Sequence, residues 1–201
     1  MIYKKMFKKS IVVVFVMIFL LSSITVFAKE PKRPNKNPVY TITINTGTEQ
    51  VCVFEQGVEE PVKVFSCSTG KKGNTYEGTY TTSDYYEWKL MMGNVWSRYA
   101  VRFNGSELMH SVPYYKQTKD SLEYKEYNKL GTPASAGCCR LALIDAKWIY
   151  DNTIPGTVVT VVNDPDTVYD LSRPNITIDV NNVEKRGWDP TDWDEDSPYN
   201  K

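Results

Sequence analysis

From Tyr40 onward, apolar and polar side chains alternate. Tyr40, Ile42 and Ile44 stand against Thr41, Thr43 and Asn45, the period of a half-buried β-strand. Residues 50–55 and 62–68 predict two more strands around a turn containing Gly57. Residues 75–82 and 99–103, enriched in Tyr, Val and Thr, read as strands as well, and 157–162 as a last one. A different period appears once. Leu141, Ile144, Trp148 and Ile149 recur at helical spacing, with Asp145 and Lys147 off that face. The helix ends in residues 152–156, where Pro155 breaks it. The fold class predicted is mainly β, a sandwich or barrel with one main helix, rather than alternating β–α units.

The two ends have other textures. Lys4, Lys5, Lys8 and Lys9 precede an unbroken apolar run at 11–21, then Ser22, Ser23 and Val26-Phe27-Ala28. This order predicts a secretory signal peptide over 1–28, cut after Ala28. The alternative is an uncleaved anchor, for which 11–21 is short of the about 20 residues a spanning helix needs. Either way the domain is expected outside the cytoplasmic membrane, in the cell wall or secreted, touching the membrane only through its export signal. Residues 29–38, polar and proline-rich, read as a linker. Residues 164–201 read as an acidic, solvated tail wrapped over the domain, with a short strand at 176–180. Trp188 and Trp193 in that tail dock either on sugar or on the domain surface.

Charge narrows the partners. The whole chain is neutral, with 24 basic and 24 acidic residues. Removing the leader and its four lysines leaves 20 basic residues and a net charge of −4. No nucleic-acid partner is expected of such a chain. Four cysteines in an exported protein raise the question of disulfides. Cys52 and Cys67 fall in neighbouring predicted strands and pair if the register allows. The adjacent Cys138 and Cys139 are not expected to bond each other. A single histidine and the lack of a Cys-x-x-Cys leave no expected metal site.

The chemistry concentrates in Ser135-Ala136-Gly137-Cys138-Cys139-Arg140-Leu141, downstream of His110, the sole histidine. A cysteine attacks carbonyls as its thiolate, and a free thiol at neutral pH is only a few per cent ionised. His110 is the one side chain whose ordinary pKa suits the general base. A tetrahedral intermediate needs N–H donors, and Gly137 lets a substrate approach the backbone closely. Arg140 either binds a substrate carboxylate or pins the loop through an ion pair.

These residues resemble the L,D-transpeptidase family, the YkuD-type catalytic domain of cell-wall enzymes. That family carries an upstream His and a Ser-His-Gly-Cys-x-Arg motif, matched by His110-Ser111 and by Ser135 to Leu141. Ser68-Thr69-Gly70-Lys71, Thr75-Tyr76-Glu77-Gly78-Thr79-Tyr80 and Pro155-Gly156-Thr157-Val158-Val159 resemble further family segments, in the same order. The resemblance implies a catalytic domain over 39–163 with Cys138 as the acylated nucleophile and His110 as general acid/base. It implies that the Ser111 carbonyl orients the imidazole and that the Gly137-Cys138 loop supplies oxyanion donors. Ser135 and Arg140 are the expected substrate-binding residues. The implied reaction releases D-alanine from one peptidoglycan tetrapeptide stem and joins it to an acceptor stem as a 3→3 cross-link. Water as acceptor makes an L,D-carboxypeptidase. No cofactor is implied, acylation by carbapenems is, and a monomer is expected.

Two positions depart from the pattern. Ala136 replaces the motif's histidine, which is expected to tune activity rather than abolish it. Cys139 replaces Ile or Val and reads as packing, or as a redox partner. The 27 residues between His110 and Cys138 form a long connection. Its Tyr114, Tyr115, Tyr124 and Tyr127 mark either a loop gripping the donor or a plain insertion. Competing readings are a papain-like protease, whose cysteine precedes its histidine, and a non-catalytic wall-binding module.

Overall fold

The computed structural model describes residues 38–201. The predicted leader and nearly all of the predicted linker lie outside them. The strands are β1 (Tyr40–Asn45), β2 (Gln50–Glu55), β3 (Lys63–Ser68), β4 (Gly78–Thr81) and β5 (Tyr85–Met91), followed by β6 (Val95–Asn104), β7 (Glu107–Ser111), β8 (Cys139–Leu141) and β9 (Val158–Val162). Among the described residues they form one sheet in the order β4-β9-β1-β2-β3-β8-β7-β6-β5. Pairings β1–β9 and β7–β8 are parallel.

The alternation in β1 sets its register with β2. Ile42 faces Val53 and Ile44 faces Val51, and all four are buried. A one-residue slip would turn this apolar set to the opposite face. The sheet curls until its two ends meet. Tyr80 of β4 touches Phe103 of β6 with ring centroids 6.0 Å apart, and the Ser83 N–H donates to the Arg102 carbonyl at 2.9 Å.

The main helix, α2 (Leu143–Asn152), buries Leu143, Ala146 and Ile149 in the core. Trp148 packs against Phe65 and Tyr40, at 5.9 and 5.3 Å between centroids. The helix begins at Leu143 rather than at Leu141, because Leu141 belongs to β8. Its N-cap position is Ala142, which has no capping side chain. Residues from far down the chain supply the caps. Asp189 Oδ2 accepts the Leu143 N–H at 3.0 Å, and Thr191 Oγ1 accepts the Ile144 N–H at 3.1 Å. Two orphan donors are thereby satisfied, with a carboxylate at the positive end of the helix.

The segment after β9 is therefore not simply solvated. It wraps over the domain as expected, but Ile178, Asp189, Asp192 and Ser197 are buried. Residues 176–180 form no strand. Ile178 instead joins a second core with Val112, Tyr114, Leu122, Tyr127 and Ala142. Its backbone is held on both sides by the Asn128 side chain, at 2.8 and 2.9 Å. Trp193 docks on the domain, tilted against Tyr99 at 6.0 Å.

Three further differences are local. The strand expected over 75–82 starts only at Gly78, since Thr75 is drawn into the cysteine loop (below). The connection after β7 contains one short helix, α1 (Tyr124–Tyr127). Tyr114 and Tyr127 are buried there as core, whereas Tyr115 is exposed. Cys52 and Cys67 are free thiols. Cys52 lies opposite Val64, so the register does not set it across from Cys67.

Candidate active site

The parallel pairing of β7 with β8 assembles the site. Met109 lies beside Cys139 and His110 beside Arg140. Neighbouring residues on parallel strands share a face, and the faces alternate along each strand. Met109 and Cys139 thus point into the core, where both are buried. His110, Cys138 and Arg140 line the opposite side, a cavity of about 530 Å³. This alternation separates the two adjacent cysteines, with Cys138 facing the cavity and Cys139 packed.

His110 is 2% exposed. Its Nδ1 lies 2.6 Å from the Ser111 carbonyl oxygen. A carbonyl can only accept, so Nδ1 carries the proton and Nε2 presents the lone pair. Burial, assisted by the Arg140 charge, lowers the imidazole pKa to about 4. Burial pushes the Cys138 thiol up, with the Glu107 charge acting in the same direction and Arg140 against it. At neutral pH the pair therefore rests as thiol and neutral imidazole.

The cysteine loop is strapped from beneath. The Ala134 and Ser135 N–H groups both donate to the Thr69 carbonyl at 2.9 Å, and the Lys71 N–H donates to the Ser135 carbonyl at 3.1 Å. Thr75 Oγ1 accepts from the Gly70 N–H and donates to the Gly137 carbonyl, each at 2.7 Å. Thr69 is held in turn by buried Glu49, at 2.6 Å through its N–H and 2.5 Å through its hydroxyl. A Cβ on Gly137 would sit 3.1 Å from the Asn74 carbonyl oxygen, so a side chain would crowd the loop against this support.

Ser135, expected to touch substrate, uses its hydroxyl within the turn. Its Oγ donates to the Cys138 carbonyl at 2.5 Å and accepts the Gly137 N–H at 3.0 Å. The Gly137 donor is thereby turned into the loop rather than toward the cavity. Arg140 takes the pinning role, with Nη1 2.7 Å from Glu126 Oε2 at the end of α1, although it still lines the cavity. Ala136 is exposed at the cavity rim.

The residue beside His110 is also tied to the C-terminal segment. Ser111 Oγ accepts the Arg98 N–H at 2.9 Å. The Arg98 guanidinium is buried between Trp88, Tyr99 and Trp193, and its Nη1 is 2.7 Å from Asp192 Oδ2. Thr75, Glu49, Arg98, Asp189, Asp192 and the cavity carboxylate Glu107 were not singled out by the sequence reading. Only Thr75 carried a signal, as part of a segment resembling the family. Among the described residues, no group of three or more His, Cys, Asp or Glu is placed to hold a metal ion.

Comparisons with known proteins agree with this arrangement. The YkuD family, the L,D-transpeptidase catalytic domain, matches residues 39–161. YciB of Bacillus subtilis (strain 168), whose own assignment as an L,D-transpeptidase is provisional, is 34% identical over 146 residues. That match covers 69% of this chain and 64% of YciB, so this chain spans less than two thirds of that relative's length. The L,D-transpeptidase LdtMt1, solved in complex with imipenem, superposes with a TM-score of 0.53 at 20% identity, over 63% of this chain and 60% of its own. An L,D-transpeptidase from Mycobacterium smegmatis gives 0.52 at 20% identity, over 62% and 59%. At such identities the two solved structures establish a shared fold. The family match over more than half of the chain, joined to the Bacillus relative, establishes more: this chain belongs to the YkuD-type L,D-transpeptidase family.

Proposed function

We propose that the protein is an exported L,D-transpeptidase that forms 3→3 peptidoglycan cross-links by cysteine acyl transfer. The observation that carries this reading is the shared cavity of Cys138 and His110, with the imidazole tautomer set by the Ser111 carbonyl.

The resting protonation states dictate the order of events. Cys138 is a thiol and Nε2 of His110 is free to accept. The proton moves to Nε2 as Sγ attacks the carbonyl at the L-centre of the third stem residue. The imidazolium then protonates the departing D-alanine amine, leaving a thioester on Cys138. The Cys138 N–H is the oxyanion donor this reading assigns, since the Gly137 N–H is engaged by Ser135. An amine of a second stem resolves the thioester. Of the cations lining the cavity, Arg102 and Arg140 are paired with Asp84 and Glu126, so attraction of the donor's carboxylates falls chiefly to Lys89.

Incubation with disaccharide-tetrapeptide, followed by mass spectrometry, tests the reading. A dimer lacking one D-alanine, absent with Cys138→Ala, is expected. Release of D-alanine without dimer would make the protein an L,D-carboxypeptidase. Binding of stems without turnover would make it a wall-binding module.

A further inference from the structure

Glu107 occupies an unassigned position in the site. It starts β7, three residues before His110, and is 7% exposed. It is the one carboxylate among the described residues lining the cavity. Its Oε1 lies 3.5 Å from where a Gly137 Cβ would be, which places it against the nucleophile's loop. Ser106, immediately before it, has its carbonyl oxygen 3.9 Å from Cys138 Sγ. The carboxylate is steadied by Asn104 Nδ2 at 3.0 Å and by the Tyr76 backbone N–H. A buried carboxylate is costly without a compensating partner. Two neutral donors leave this one with spare acceptor capacity in the cavity that Cys138 also lines.

The chemistry of the second half-reaction supplies a matching partner. Its nucleophile is a primary amine, which at neutral pH arrives as an ammonium ion. The other charged groups lining the cavity are the cations Lys89, Arg102 and Arg140, so none of them can hold an ammonium ion.

We propose that Glu107 is the acceptor-binding group, holding the incoming ammonium beside the Cys138 thioester and taking its first proton. The inference rests on the acyl-transfer reading above. The ammonium gives one proton to the Glu107 carboxylate, which passes it to solvent. The neutral nitrogen then adds to the thioester carbonyl carbon. Its second proton goes to His110 Nε2 and from there to the departing Cys138 sulfur. The C–S bond breaks as the amide C–N bond forms, with no change of oxidation state. Burial raises the Glu107 carboxyl pKa, which makes it a better proton acceptor than an exposed acid.

The test compares the wild-type protein with Glu107→Gln in three assays. These are D-alanine release from tetrapeptide donor in water, transfer to an acceptor stem, and transfer to hydroxylamine, a neutral amine. Glu107→Gln is expected to lower kcat/KM for the acceptor stem at least tenfold. D-Alanine release is expected to rise a few-fold, because removing the negative charge eases ionisation of Cys138. Transfer to hydroxylamine is expected to follow release, not the stem. Glu107→Asp should fall between the two proteins in stem transfer, and it keeps the test open if the glutamine variant folds poorly. Equal changes in stem transfer and release, for both variants, would overturn the role of Glu107. Failure of the wild-type protein to release D-alanine would overturn the acyl-transfer reading and this inference with it.

Discussion

The Asp189 carboxylate caps Leu143 across 46 residues of sequence, with Oδ2 3.0 Å from the helix N–H. Asp189 is fully buried, and its pKa is raised to about 6 by that burial against the hydrogen bonds it accepts. The helix it caps directly follows the strand that carries the cysteine loop. The acidic segment is thus part of the scaffold of the site.

Removing the cap should be measurable. Asp189→Ala is expected to lower unfolding free energy by about 1–2 kcal/mol, the worth of an N-cap. Urea denaturation followed by tryptophan fluorescence reads this directly. An unchanged midpoint would mean that water replaces the carboxylate at no cost.

The Arg98–Asp192 pair makes a stronger claim, since both side chains are almost wholly buried. Asp192→Ala leaves a buried guanidinium without its partner, and a loss of about 3–5 kcal/mol is expected. Arg98→Met with Asp192→Leu should cost less than the sum of the single substitutions. Additive losses in this double-mutant cycle would show that the two residues do not act as a pair. Because the Arg98 N–H also reaches Ser111, Asp192→Ala is further expected to slow acylation of Cys138.

His110 is the only histidine in the chain, so its titration can be read by NMR without assignment in protein free of a histidine tag. Burial lowers its pKa to about 4. The imidazole is then neutral, and competent as a base, at every pH above that value. The acid limb of kcat/KM is accordingly expected near pH 4, with activity maintained as pH rises through 6.5. Burial also pushes the Cys138 thiol upward, so no alkaline decline is expected at neutral pH. An NMR midpoint and an acid limb both near 6.5 would mean an exposed imidazole.

Thr75 holds the cysteine loop through one accepted and one donated hydrogen bond. Thr75→Val keeps the shape and removes both, leaving a buried N–H and carbonyl unpaired. A loss of about 1–3 kcal/mol is expected, together with slower acylation by imipenem. Full acylation rates in a destabilised variant would make Thr75 a purely structural residue.

The sequence was most legible where one face of a strand is buried and the other is wet. Residues 40–45 alternate for that reason, and their strand appears where the pattern puts it; residues 50–55 instead show a short apolar run, and their strand too lies where it was expected. β7 did not announce itself, because all five of its residues are buried and no alternation survives. β8 has only three residues, too few to show a period. Cys138 and His110 were legible from residue type and motif frame. Their supports were not: Asp189 and Asp192 read as members of an acidic run, and only the chain's return to Leu143 and Arg98 gives them partners. Glu107 opens β7 directly after the turn at Gly105 and Ser106, where an acidic residue carries no signal of a cavity.

Cys138 is the nucleophile proposed for acylation, and a carbapenem reports on it most directly. The protein is treated with imipenem, digested, and its four cysteine positions mapped by mass spectrometry. A stoichiometric adduct on Cys138, lost in Cys138→Ala and retained in Cys139→Ala, is the predicted result. An adduct on Cys139, Cys52 or Cys67, or none on any cysteine, would contradict it.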